Sequence, residues 1–346
     1  VSAGAHQIRL LPLVIAAGVL IHIAGDWLTN EGIPIPIAWI LGQRRQIPVV
    51  QLIRSIIHPD AARLFWWRDP PPGNLPPDIR PVFNPLLRWW NLPSINRAED
   101  LMRGDLYLIP SIPSLDPLPP GIQRTCYTGP LAEPAQAGDA LPGDFPDRKN
   151  GPIIYVTLGG GVGLAQAGPV LASLHTAFGG TACQFVVSSG NQFDPAAISA
   201  PPNFHYFRWL PGRAAIAASD GVICHGGQNT TLELAASGVP GLILPFQSEQ
   251  ESNGRRLEER GAGRVLSPLD TPAGVRIVRA RWWYGHYQTC IVPRHTPQPA
   301  ALREAVDALL QHPAYRDNAA KLQAEAMQYG GVETAVEQLE ALVNER

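Results

Sequence analysis

Cys224-His225-Gly226-Gly227-Gln228-Asn229-Thr230-Thr231-Leu232-Glu233 is the stretch on which the fold turns. Gly221 to Cys224 is a short apolar run of strand character, two glycines follow the histidine, and Gln228 to Ser237 has the length of a helix. A strand that enters a glycine turn and leaves it as a helix aims free backbone N–H groups and the positive end of a helix dipole at the turn. A diphosphate fits such a place, and His225 and the Thr230 hydroxyl add donors to it. Thr230 and Glu233 also have capping-box spacing, in which Glu233 merely bonds back to the helix start. On those two residues alone a helix cap competes with a ligand role.

The sequel favours the ligand. Gly238-Val239-Pro240 ends the helix, Gly241 to Leu244 is the next strand, and Pro245-Phe246-Gln247-Ser248-Glu249-Gln250-Glu251-Ser252-Asn253 follows on the same edge. Carboxylates and amides are the acceptors and donors that hexose hydroxyls require. Upstream, Trp209-Leu210-Pro211 offers an aromatic face to a nucleobase. Ile153 to Leu158 is a strand, Gly159 to Gly163 a glycine-rich turn, and a helical stretch runs to Phe178; Gln184 to Ser188 is a further strand. Strands alternating with helices imply an α/β fold with a parallel sheet, right-handed crossovers and ligands at the carboxyl ends of strands. The glycine loop lacks GxGxxG spacing, no GxxxxGK stretch is present, and there is no Asp-x-Asp triplet.

The first half gives a weaker pattern. Ile47 to Ile53 and Leu106 to Ile109 have strand character, and Arg97 to Arg103 that of a helix. Prolines cluster at Pro70 to Pro85 and again between Leu131 and Asn150, marking irregular chain. These signals divide the molecule into a short first domain over 1–132, a linker over 133–150, a second domain over 151–330 and a C-terminal helix over 331–346 packing back on the first. Val275 to Arg294 suggests an inserted β-hairpin around Tyr284-Gly285-His286, and from Ala300 the pattern is helical, interrupted at Gly330-Gly331. Trp66, Trp67, Trp89 and Trp90 form two adjacent pairs that suit either core packing or an apolar pocket.

Composition narrows the function. With 346 residues, 45% apolar and 16% charged, the chain has the make-up of a soluble two-domain α/β enzyme, and a net charge of -2 gives no basic face for nucleic acid. Cys126, Cys183, Cys224 and Cys290 are scattered without a CxxC pair, so neither zinc nor a disulfide framework is indicated and a reducing cytoplasm is the simpler home. Leu10 to Ala24 is apolar but short of the roughly 20 residues a spanning helix needs, which suits a buried helix or strand pair, with an anchor or signal h-region as the alternative.

The run from Trp209 to Asn253 closely resembles, without a gap, the donor-binding motif of the UDP-glycosyltransferase superfamily. The resemblance implies a GT-B fold, in which two Rossmann-like domains face a cleft, and it implies roles. Trp209 stacks the base; His225, Gly227, Asn229 and Thr230 hold the diphosphate; Glu233 takes the ribose hydroxyls; Glu249 with Gln250 takes the sugar; Gly161 lines the cleft. It further implies a hexosyltransferase moving sugar from UDP- or dTDP-sugar to a hydroxyl of a small lipophilic acceptor, inverting, with no metal and no cofactor beyond the nucleotide-sugar co-substrate. His6 resembles the family's base, with His22 and His58 as poorer candidates; a histidine suits because its pKa lies near working pH. The alternatives are a glycolipid or cell-wall precursor transferase in peripheral contact with a membrane face, and an inactive nucleotide-sugar-binding homologue. Gly212 and Gln228 stand where the plant motif has glutamine and tryptophan, which leaves base and sugar preference open.

Overall fold

In the computed structural model, the described residues are 42, 46–54, 58–60, 78, 80–131, 140–159, 164–246, 248–267, 276–282, 285–291 and 296–345. His6, His22, Trp66, Trp67, Gly161 and the run from Leu10 to Ala24 lie outside them.

The second half is organised by one six-stranded sheet. Its strands are β4 (Ile153–Thr157), β5 (Gln184–Ser188), β6 (Phe204–Phe207), β7 (Gly221–Cys224), β8 (Gly241–Ile243) and β9 (Gly263–Val265), in the order β6-β5-β4-β7-β8-β9. Every pairing is parallel. Helices α2 (Leu164–Phe178), α3 (Gly212–Ala217), α4 (Gln228–Ser237) and α5 (Ser248–Glu259) make the crossovers, and α6 (Pro299–Gln311) and α7 (Pro313–Ala326) complete the layers. Side chains alternate across the sheet as the strand period requires. Ile154, Val156, Val187 and Ile223 pack with Leu171 and Leu174 of α2 and with Leu302 and Val306 of α6. Ile153, Tyr155, Val186 and Val222 pack on the other face with Ile216, Leu234, Leu257 and Leu322. Burial on both faces is why these strands are near-continuous apolar runs.

The first half carries a smaller sheet, β1 (Val50–Leu52), β2 (Leu106–Ile109) and β3 (Thr125–Tyr127), all parallel in the order β1-β2-β3. Helix α1 (Arg80–Trp89) corrects the expectation of irregular chain up to Pro85: Pro81 lies in its first turn, where no amide partner is needed, and Pro85 is carried inside it. The expected helix over Arg97 to Arg103 is instead a 3-10 turn, Ala98–Met102, in which Asp100 accepts from the backbone of Asn96 and Arg97. The hairpin is present as β10 (Arg276–Trp282) and β11 (Gly285–Ile291), antiparallel. Gly331 separates α7 from α8 (Val332–Asn344), and its N–H donates to Thr128 O of the first half. Helix α8 buries none of its residues and leaves Val332, Val336, Leu339 and Val343 exposed. No described helix is long and apolar enough to cross a membrane.

Candidate functional site

The chain builds outward from β4 to β5 and β6, then returns to lay β7 on the other side of β4. The order therefore reverses between β4 and β7, and a crevice opens at their carboxyl ends. Thr157 and Cys224 are level there, so the next residues, Leu158-Gly159 and His225, run on side by side. The His225 ring is wedged between two glycines. A Cβ on Gly159 would lie 2.7 Å from His225 Cε1, and one on Gly227 would lie 2.5 Å from Nε2. Both positions exclude any side chain, and Gly159 also has a left-handed φ of 83°.

The ring's Nδ1 is buried, and among the described residues nothing bonds to it. Burial lowers the His225 pKa below the ordinary imidazole value, so the ring is neutral at pH 7. Beside it, α4 begins with no side-chain cap: Gly227 is its N-cap, and the first helical bond is Thr231 N to Gly227 O at 3.0 Å. The N–H groups of Gln228, Asn229 and Thr230 precede that bond and point out of the helix end. This decides the competition at Thr230. With Gly227 as N-cap, Thr230 is the third helical residue and Glu233 the sixth, so the pair forms no capping box.

Glu233 turns instead toward α3, its Oε2 3.3 Å from where a Cβ on Gly212 would stand. A bulky residue at 212 would crowd the carboxylate. Burial raises the Glu233 pKa, and the charge of Arg213 opposes that rise. Trp209, three residues before Gly212, is 57% exposed, a large apolar surface left open next to the carboxylate's loop. Trp209, Glu233, His225 and the open start of α4 all lie toward the carboxyl edge of the six-stranded sheet.

Glu249 and Gln250 open α5 but differ in what they can offer. Gln250 is buried and its Oε1 accepts from Phe246 N at 2.8 Å, so its carbonyl is committed to the helix entry. The Glu249 side chain is 35% exposed. Arg54 Nη1 donates to Glu249 Oε1 at 2.7 Å, and Asn253 Nδ2 donates to the same oxygen at 2.7 Å. Asn253 Nδ2 also donates to Gly226 O at 2.8 Å, tying α5 to the turn below His225. Gly159, Asn253 and Arg54 were not singled out from sequence. The first two lay inside quoted motifs, whereas Arg54 is a lone cation after a weak strand.

Of the poorer base candidates, His58 is fully buried. Its Nδ1 accepts from Asp60 N at 3.1 Å, which leaves Nε2 to donate to Thr125 Oγ1 at 3.1 Å. Both ring nitrogens are thus spent on structure, and Tyr107 covers the ring at 4.2 Å. The thiols of Cys126, Cys183 and Cys224 are free, and burial pushes that of Cys224 up to about 12. Among the described residues no three His, Cys, Asp or Glu converge as metal ligands.

Residues 171–274 match the model of the glycosyltransferase family 28 C-terminal domain. NDP-glycosyltransferase YjiC of Bacillus licheniformis is 30% identical over 168 residues, which is 48% of this chain and 36% of that protein. The chain spans about a third to a half of the length of the curated relatives it matches. The crystal structure of CalG4, the calicheamicin glycosyltransferase, superposes with a TM-score of 0.65 at 22% identity, over 99% of this chain and 82% of that one. Spinosyn rhamnosyltransferase SpnG complexed with thymidine diphosphate superposes with a TM-score of 0.56 at 17% identity, over 98% and 82% respectively. Sheet order and these superpositions agree on the fold: the chain has the GT-B fold, and its residues 171–274 are those that match the glycosyltransferase family 28 C-terminal domain.

Proposed function

We propose that this protein transfers a hexosyl group from a UDP- or dTDP-sugar to a hydroxyl of a small lipophilic acceptor, with inversion and without a metal ion. The observation that carries the reading is the buried, unpartnered Nδ1 of His225 beside an uncapped helix start. A buried polar atom without a partner is rare enough to need a reason. A diphosphate seated over the turn supplies one, because its oxygens accept from the imidazole N–H and from the amides of α4. The likeness to SpnG supports the choice of ligand, since that enzyme was solved with thymidine diphosphate.

The chemistry follows from where charge develops. As the acceptor oxygen bonds to the anomeric carbon, the bond from that carbon to the diphosphate oxygen breaks, and the leaving group gains negative charge. Fixed N–H dipoles at the α4 start and the His225 ring stabilise that charge without reorganising, which replaces a metal ion's role. Trp209 stacks the base, Glu233 accepts from the ribose hydroxyls, and Asn229 and Thr230 complete the diphosphate contacts. The remaining Glu249 oxygen accepts from the sugar, with the amide of Gln250 beside it. Gly161, as the resemblance implies, lines the cleft and His6 takes the acceptor proton; both lie outside the described residues. Trp89, stacked on Trp90 with ring centroids 5.7 Å apart and 74% exposed, offers apolar surface in the first half for the acceptor.

Calorimetry with UDP and dTDP tests the site. Wild-type protein binds one of them, and His225→Ala weakens that binding by about 1.5–3 kcal/mol, the loss of a hydrogen bond to a charged group. Absence of binding to both nucleotides, or an unchanged affinity in the variant, would overturn the assignment. Turnover on an acceptor panel, abolished by His6→Ala, tests the transfer step.

A further inference from the structure

Arg54 follows β1 at the carboxyl edge of the small sheet, yet its side chain ends in the donor site. Only 15% of that side chain is exposed. Its Nη1 reaches Glu249 Oε1 at 2.7 Å and its Nη2 reaches Asn253 Oδ1 at 2.6 Å, across 195 and 199 positions of sequence. Its Nε stands 3.7 Å from Asp116 Oδ2, on a side chain that is 1% exposed.

Asn253 has no N–H left to donate to a ligand. Its oxygen accepts from Arg54, and its two N–H bonds go to Glu249 Oε1 and Gly226 O. Glu249 Oε1 receives two donors, one of them charged, so rotating the carboxylate breaks both bonds at once. No hydrogen bond joins Glu249 Oε2 to another described residue. An unpinned carboxylate could swing and present either oxygen, or both, to vicinal hydroxyls in several sugar configurations. A pinned one presents a single acceptor in a single direction, with its charge offset by the guanidinium.

We infer that Arg54 is a specificity-determining positioning residue of the donor site: anchored on Asn253, it fixes Glu249 as a one-oxygen acceptor for one sugar hydroxyl. The inference rests on the proposed donor site. It predicts a split between the sugar and the nucleotide, because Arg54 acts on the sugar end alone.

The test is calorimetry on the full chain with UDP, UDP-glucose and UDP-galactose, and with the dTDP counterparts. Arg54→Lys keeps a cation beside Asp116 but cannot span Glu249 and Asn253 together. Arg54→Gln leaves Asn253 and its bond to Gly226 in place but can reach only one of the two partners. Both variants are expected to bind the bare nucleotide diphosphate within about twofold of wild type while losing about tenfold or more on the preferred nucleotide sugar, the size of one charged hydrogen bond. The ratio between the two epimeric donors should fall toward one. Use of both variants covers the case in which one fails to fold. Wild-type binding of the nucleotide, with variants that lose sugar and nucleotide equally or lose neither, overturns the role of Arg54 and leaves the donor site standing. Wild-type protein that binds no nucleotide diphosphate overturns both.

Discussion

The two sheets differ in how they are supported. The six-stranded sheet is covered on both faces, with Phe185, Ile153 and Ile154 almost fully enclosed, and four of its five strand-to-strand crossovers carry an α-helix. The three-stranded sheet has only small described clusters, Ile53 with Tyr107 and Ile109, and Leu87 with Ile95 and Leu101. Its described residues are also tied to the neighbouring sheet. Ile112 and Leu115, after β2, belong to the large core, Ser114 bonds Glu325 and Arg260 through its backbone, and Thr128 receives Gly331. The first half is therefore held in part as an accessory layer of the second.

The sharpest way to break that comparison is core truncation. Phe185→Ala should cost about 3–5 kcal/mol in urea unfolding, whereas Leu87→Ala, in a small cluster able to collapse, should fall at the low end, about 2 kcal/mol. Equal losses would mean that the first half has a core as demanding as the second. Next in size, Gly227→Ala forces the His225 ring aside. We expect nucleotide affinity to drop by about 1–3 kcal/mol, the usual range for an overpacked site, with urea stability changing less than affinity. An alanine there that bound nucleotide normally would show that the ring can move without consequence.

The smallest effect is on pH. Burial lowers the pKa values of His58, His175, His205 and His225. Unfolded chains protonate these rings from about pH 6.5 downward, while the folded protein resists. Stability is therefore retained above pH 6.5 and lost as pH falls through the interval down to the folded values. Three of the four rings belong to the second half, so urea midpoints at pH 7 and pH 5.5 should differ by nearly as much in His58→Gln as in wild type. A slope abolished by that one change would place the acid-sensitive element in the first half.

The same contrast explains what the sequence revealed. Ile153–Thr157, Gly221–Cys224 and the helix after Gly227 were legible because strands buried on both faces are unbroken apolar runs and the glycine turn between them has few alternative readings. Phe204–Phe207 was missed: it is an edge strand, Phe-His-Tyr-Phe, behind two prolines and without an aliphatic run. Gly263–Val265 and Thr125–Tyr127, at three residues each, are too short to show a period. Arg80–Trp89 hid behind Pro81 and Pro85. In the candidate site, Trp209, His225, Glu233 and Glu249 stood out because they fall in one gapless segment that resembles the donor-binding motif. Arg54 could not, because both partners of its guanidinium fork stand almost 200 positions away.

The slot that holds His225 has a further consequence. Its two walls are backbone, one following β4 and the other following β7, so its width measures the separation of two strand ends. Val156 and Ile223, paired across those strands within the core, help set that gauge from beneath. A repacking change at either would slacken the slot and let the imidazole tilt, even where melting temperature hardly moves. Phosphate affinity would then serve as a calliper on the interior, registering distortions of a few tenths of an ångström that bulk stability averages away.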